Sequence, residues 1–91
     1  MLFAIHALDK PGALDVRTAN REAHLAYVAD FDSKAGGPLL DDDDNMCGSL
    51  LIMEFADRAA AEEFSANDPY TKAGLFERVE IRGFKKVMWP S

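Results

Sequence analysis

The chain has 91 residues, 48% hydrophobic and 29% charged, which is the composition of one soluble globular domain and too short for two. Ten basic against sixteen acidic residues give a formal net charge of −6, so a nucleic-acid surface would have to oppose the protein's own field. The single cysteine, Cys47, excludes an internal disulfide, and no Cys/His cluster has the spacing of a zinc site. Residues 2–8 form an apolar run of strand length, ended by the turn cluster Asp9-Lys10-Pro11-Gly12. No basic leader precedes that run, and Asp9 and Lys10 cut it far short of a signal or membrane span; a cytoplasmic protein is expected.

Residues 13–31 contain neither proline nor glycine, and Leu14, Thr18, Arg21, Leu25 and Val28 recur at three- and four-residue intervals, which predicts a long helix. Residues 33–38 break it, Leu39-Leu40 predicts a short strand, and Asp41-Asp42-Asp43-Asp44-Asn45 an acidic hairpin turn. Residues 48–55 are strongly apolar and predict the central strand. Asp57 is placed to cap a helix through Phe64, because its carboxylate can accept the orphan amide hydrogens of the first turn. Asp68, before Pro69, can cap a further turn to about Gly74, and residues 77–89 alternate in part as a last strand.

This order predicts an α+β, ferredoxin-like β-α-β-β-α-β domain over 1–91, a four-stranded antiparallel sheet with its helices on one face. Both faces of the central strand are apolar: Leu50 and Ile52 alternate with Leu51, Met53 and Phe55. A half-solvated sheet should show polar residues on its wet face, so the second face needs a cover. A second copy of the same sheet supplies it, giving a face-to-face homodimer of the dimeric α/β-barrel type. Short apolar strands with no partner are the alternative.

Among residues able to carry chemistry, His24 falls beside Arg17 and Arg21 on one flank of the long helix, next to Leu25 and Val28. It can act there as a general base, or sit as an edge histidine hydrogen-bonded to backbone. Asp68 needs no catalytic reason to precede Pro69, since a helix cap explains it; both helices share one sheet face, so it and His24 can also converge. The aspartate run fails the EF-hand template, with Met46 where glycine is needed and Ile52 where glutamate is needed, and reads as a solvated hairpin. Cys47 follows acidic residues that disfavour a thiolate, Ser49 lacks a nucleophile elbow, and Gly36-Gly37-Pro38 lacks the Lys-Ser/Thr of a phosphate loop. Met46, Met53 and Met88 suit core or interface packing, Trp89 a dimer surface, and His6 strand packing or a pocket.

Taken in order, residues 2–5, Asp9-Lys10-Pro11-Gly12, Arg17, Arg21-Glu22-Ala23-His24-Leu25, Gly37-Pro38-Leu39, Gly48-Ser49, Ala56-Asp57-Arg58 and Asn67-Asp68-Pro69-Tyr70 resemble the YCII-related (YciI-like) proteins across nearly the whole chain. That family is similar in fold to the dimeric α/β barrels, which include muconolactone-isomerase-like enzymes and small cofactor-free monooxygenases. The resemblance implies an active site centred on His24 and Asp68, with Ser49, Arg17, Gly37 and Pro38 as pocket neighbours. It implies a small-molecule ligand and no cofactor. The expected function is proton transfer on a small cyclic or aromatic metabolite by a His24/Asp68 dyad, of isomerase, lyase or dehalogenase type. A cofactor-free monooxygenase of the same fold and a non-catalytic dimeric binding or accessory module are the alternatives, and in the latter Asp68 only caps its helix.

Overall fold

The computed structural model describes residues 1–90; Ser91, the end of the expected domain, lies outside them. The chain runs β1 (Leu2–Asp9), α1 (Leu14–Val28), β2 (Ser33–Leu40), β3 (Met46–Glu54), α2 (Arg58–Asn67), α3 (Pro69–Lys72) and β4 (Phe76–Phe84). The four strands form one sheet in the order β2-β3-β1-β4, with every neighbouring pair antiparallel. This is the ferredoxin-like arrangement expected from the element order.

Register decides which residues the helices cover. Ile5 stands between Leu51 of β3 and Ile81 of β4, and Phe3 pairs with Met53, so these side chains share one face. Phe3, Ile5, Leu51, Met53, Phe55 and Ile81 are buried there against Ala61 and Phe64 of α2, with Tyr27 and Val28 of α1 closing the edge. On the other face Ala4 lies beside Ile52, and His6 lies between Leu50 and Glu80. Among the described residues no helix covers that face, and Leu50 is 38% exposed. His6 is therefore a strand residue of the open face.

Both predicted caps are present, with Asp57 Oδ1 accepting from the Ala60 N–H at 2.8 Å and Asp68 Oδ1 from the Tyr70 N–H at 2.9 Å. Three boundaries differ most from expectation. The long helix stops at Val28 rather than near residue 31, because the Ala29, Asp30 and Phe31 N–H groups close tight turns onto Leu25, Tyr27 and Val28 carbonyls. The segment 33–38 is not a break but most of β2. Gly36 favours this: a Cβ there would stand 2.6 Å from Leu51 Cδ2 and 3.2 Å from the Leu50 carbonyl oxygen, so a side chain at this position would force Leu51 to shift. Pro38 is tolerated because β2 is an edge strand. The last strand ends at Phe84 rather than Trp89, and Trp89 folds back to pack 6.1 Å from the Phe84 ring.

The hairpin between β2 and β3 is held by Asp41, whose Oδ1 accepts from the Asp43 N–H at 2.9 Å and the Asn45 N–H at 3.0 Å. Asp44 completes the turn in the left-handed region at φ 64°.

Helix α1 departs most from its expected pattern. Leu14 and Leu25, members of the predicted apolar stripe, are 40% and 54% exposed, whereas Arg17 and His24 are the buried residues. The cause is tertiary. While α2 packs on β1 and β4, α1 leans mainly on α3 and stands off β2 and β3, so its inner face borders a cavity instead of strands.

Candidate functional site

That cavity, about 230 Å³, lies between α1, β2 and β3, with Tyr70 at its floor. Arg17 and His24 enter it from α1, seven residues and hence two turns apart on one helix face. Gly37 and Pro38 come from β2 and Ser49 from β3.

His24 is held from behind. Its Nδ1 lies 2.9 Å from Asp68 Oδ1 and 3.0 Å from Oδ2, with both side chains buried. An ionised carboxylate only accepts, so this contact places a proton on Nδ1. Among the described residues Nε2 has no hydrogen-bond partner, and the ring lines the cavity. Asp68 Oδ1 also takes the Tyr70 N–H, so one carboxylate caps α3 and orients the imidazole together.

Arg17 is fixed as firmly. Its Nε donates to Asp9 Oδ2 at 2.7 Å and its Nη2 to Asp9 Oδ1 at 2.8 Å, a bidentate pair, while Nη2 also donates to Ser49 Oγ at 2.9 Å. Burial opposes the guanidinium's charge, but hydrogen bonds and attraction from Asp9 raise its pKa above the ordinary arginine value. Between these two groups sits Tyr70. Its ring stacks on His24 at 4.1 Å with planes 14° apart, and Arg17 lies over it at 4.8 Å from the centroid. Burial raises the Tyr70 phenol pKa, against the opposing pull of Arg17 and Arg21.

Of the residues singled out in the sequence, Arg17, His24, Gly37, Pro38 and Ser49 line this one cavity, and Asp68 reaches it through His24. His6 and Cys47 do not line it. Asp9 and Tyr70 were missed as site residues. Asp9 read as turn punctuation, and nothing in spacing shows that the end of β1 meets the second turn of α1. Tyr70 carried a signal, since it adjoins Asp68-Pro69. Among the described residues no three His, Cys, Asp or Glu side chains converge as a metal ion's ligands would, and no helix is long and apolar enough to cross a membrane.

Sheet order, helix placement and a cavity between α1 and the β2–β3 edge define a ferredoxin-like protein of the dimeric α/β-barrel fold. An antibiotic biosynthesis monooxygenase structure shares that fold at a TM-score of 0.57, covering 97% of this chain and 100% of its own, but at 22% identity the likeness shows the fold alone. Within the fold the chain belongs to the YCII-related family, whose YCII-related domain model matches residues 1–85, as its motifs led us to expect. It is 36% identical to protein YciI of Escherichia coli and to an uncharacterised protein of Haemophilus influenzae, in each case over 96% of this chain and 99% of the relative. It is also similar to the 5-chloro-2-hydroxyhydroquinone dehydrochlorinase TftG of Burkholderia phenoliruptrix, solved in complex with 2,5-dihydroxybenzoquinone. Identity there is 43% and the TM-score 0.87, covering 93% of this chain and 94% of that one.

Proposed function

We propose that the protein is a cofactor-free enzyme that moves a proton on a small cyclic or aromatic metabolite, in an elimination or isomerisation. The observation that carries this reading is His24, with Nδ1 engaged by buried Asp68 and Nε2 left to the cavity. Nε2 takes a proton from the substrate, and the resulting imidazolium is stabilised by the Asp68 carboxylate. In an elimination the electron pair freed by that proton forms a double bond as the leaving group departs with its own pair. In an isomerisation His24 returns the proton at another ring atom. Neither course passes electrons to an external acceptor, so none needs a redox cofactor. The 43% identical dehydrochlorinase supports the elimination course and a hydroxylated ring as substrate.

The functional unit in this proposal is a homodimer through the open sheet face. Ala4, Leu50 and Ile52 make that face apolar, and the chain's accessible surface of 5868 Å² exceeds the roughly 5,200 Å² expected of a compact monomer of this mass. The free thiol of Cys47 fits a reducing cytoplasm.

Incubation with 5-chloro-2-hydroxyhydroquinone, following chloride release and the quinone spectrum, tests the reading. Turnover that drops about 10²-fold or more in folded His24→Ala supports it. A protein that binds 2,5-dihydroxybenzoquinone yet turns over no halogenated or isomerisable ring compound is a binding module, and the catalytic reading then fails.

A further inference from the structure

A second cleft, about 360 Å³, lies between the end of α1 and α2 and shares no lining residue with the His24 cavity. Its walls are four aromatic rings: Tyr27 and Phe31 at the end of α1, Phe55 after β3 and Phe64 of α2. Glu63 and Asn67 are its polar lining. Phe64 is the hub, with Tyr27 stacked on it at 5.2 Å, Phe31 edge-on at 4.7 Å and Phe55 at 5.4 Å. The Tyr27 hydroxyl donates to the Phe64 carbonyl oxygen at 2.8 Å, which fixes that ring across the two helices. Phe31 stays 39% exposed, so aromatic surface remains open to a ligand.

The two cavities differ in the sign of their charge. Arg17, Arg21 and Lys34 line the first, whereas the second is lined by one carboxylate, Glu63, and by no basic residue. Among the described residues Glu63 forms no ion pair, while its neighbour Glu62 is paired with Arg58. Neither α1 nor α2 has a basic residue in its last turn, so the negative ends of both helix dipoles are left without a cation, at Tyr27 in α1 and at Asn67 in α2. Burial raises the Tyr27 phenol pKa, and the charges of Asp68 and Glu63 raise it further.

We infer that this cleft is a second ligand site, and that it takes a small organic cation with an alkylated ammonium head. Aromatic faces attract a cation through their quadrupole, and a carboxylate and two helix C-termini add to that attraction. A metal ion does not suit the cleft, because it needs several oxygen ligands and Glu63 is the one carboxylate in the lining. An alkylated ammonium is weakly hydrated and can bury its methyl groups against the rings while keeping its charge beside Glu63. The volume falls within the range of about 300–1,000 Å³ common to small-molecule sites. This site is independent of the ring-substrate chemistry, so turnover and its loss in His24→Ala bear on the first cavity alone.

The test titrates wild type, Glu63→Gln and Phe31→Leu by NMR with choline and with its neutral carbon isostere, 3,3-dimethylbutan-1-ol. Both substituted residues are exposed, so the variants should fold as wild type. Choline is expected to give saturable shifts at Tyr27, Phe31 and Asn67, and to bind about fivefold or more tightly than the isostere. Glu63→Gln should weaken choline about threefold or more and leave the isostere within about twofold, and Phe31→Leu should weaken choline about twofold or more. The inference is overturned if wild type shows no saturable shift up to about 50 mM choline. It is equally overturned if choline and the isostere bind alike, if Glu63→Gln binds choline as wild type does, or if the shifts fall at Arg17 and His24 instead.

Discussion

Asp68 and His24 meet at 2.9 Å across 44 residues of chain, in a contact that also closes the N-terminus of α3. The two oxygens of Asp68 divide the work: Oδ1 takes the Tyr70 N–H, and both lie within reach of His24 Nδ1. Capping and orientation are therefore one arrangement, and either function alone would underdescribe the residue.

That division predicts what Asp68→Asn does. The Tyr70 N–H requires the one remaining acceptor, so the amide nitrogen takes the Oδ2 position, 3.0 Å from Nδ1, and donates to it. The neutral imidazole then carries its proton on Nε2, where the wild type presents a lone pair. ¹⁵N NMR of the ring should show this exchange of tautomers, with any turnover reduced about 10²-fold or more while the fold persists. A wild-type tautomer in the folded variant would mean that Asp68 does not orient His24.

Asp9 and Arg17 form a buried bidentate pair, with side chains 6% and 3% exposed. Removing one partner strands a buried charge, so Asp9→Ala should cost about 3–5 kcal/mol in urea unfolding. The double variant Asp9→Leu/Arg17→Met should recover much of that loss. An Asp9→Ala cost below about 1 kcal/mol would show that water reaches the pair.

Burial raises the pKa of both tyrosines, Tyr27 and Tyr70, above the ordinary 10.0. A raised folded pKa leaves stability intact below pH 10 and drains it as pH climbs from there through the folded values. Unfolding free energy measured against pH should decline in that window, and Tyr70→Phe should make the decline shallower without changing stability at neutral pH by more than the loss of one hydroxyl. An identical slope in the variant would place the loss elsewhere.

Ile52 and Leu50 face away from the helices, whereas Leu51 lies beneath them. Ile52→Asp should therefore split a sheet-face dimer while leaving a folded monomer, since the charge becomes solvated once the partner leaves. Leu51→Asp should unfold the chain in either state, because it places an unpaired charge in the core. Sedimentation of wild type as a monomer, with melting independent of concentration, would reject the dimer.

In the hairpin, Asp41→Ala removes two hydrogen bonds to turn amides and should cost about 1 kcal/mol, whereas serine at 42 and 43 should change stability by less than about 0.5 kcal/mol. Asp44→Gly relieves a left-handed backbone at the expense of chain entropy, so its effect should stay within about 1 kcal/mol. Thermal melts of the four variants measure this order. Equal losses at Asp41 and Asp42 would contradict it.

The order of elements was legible in the sequence because each signal is local. An apolar run of strand length, a three-and-four periodicity, Asp57 before an alanine-rich helix and Asp68 before Pro69 act within one turn of the chain. His24 and Asp68 were legible as well, since each stands in one of the short motifs, Arg21-Glu22-Ala23-His24-Leu25 and Asn67-Asp68-Pro69-Tyr70, that carry the resemblance to the family. What the chain could not display locally was contact between distant segments. Glycine and proline at 36–38 mark a break in an isolated peptide, yet in the folded edge strand Gly36 fits closely against Leu51 and Pro38 is tolerated. The stripe of Leu14 and Leu25 promised an inward face, but α1 stands off β2 and β3, so Arg17 and His24 turn inward where a cavity and two buried carboxylates receive them. Local propensity is summed over neighbours in sequence, whereas burial of Arg17 depends on Asp9 and Ser49 arriving from two strands, and only the closed fold brings those charges and donors together.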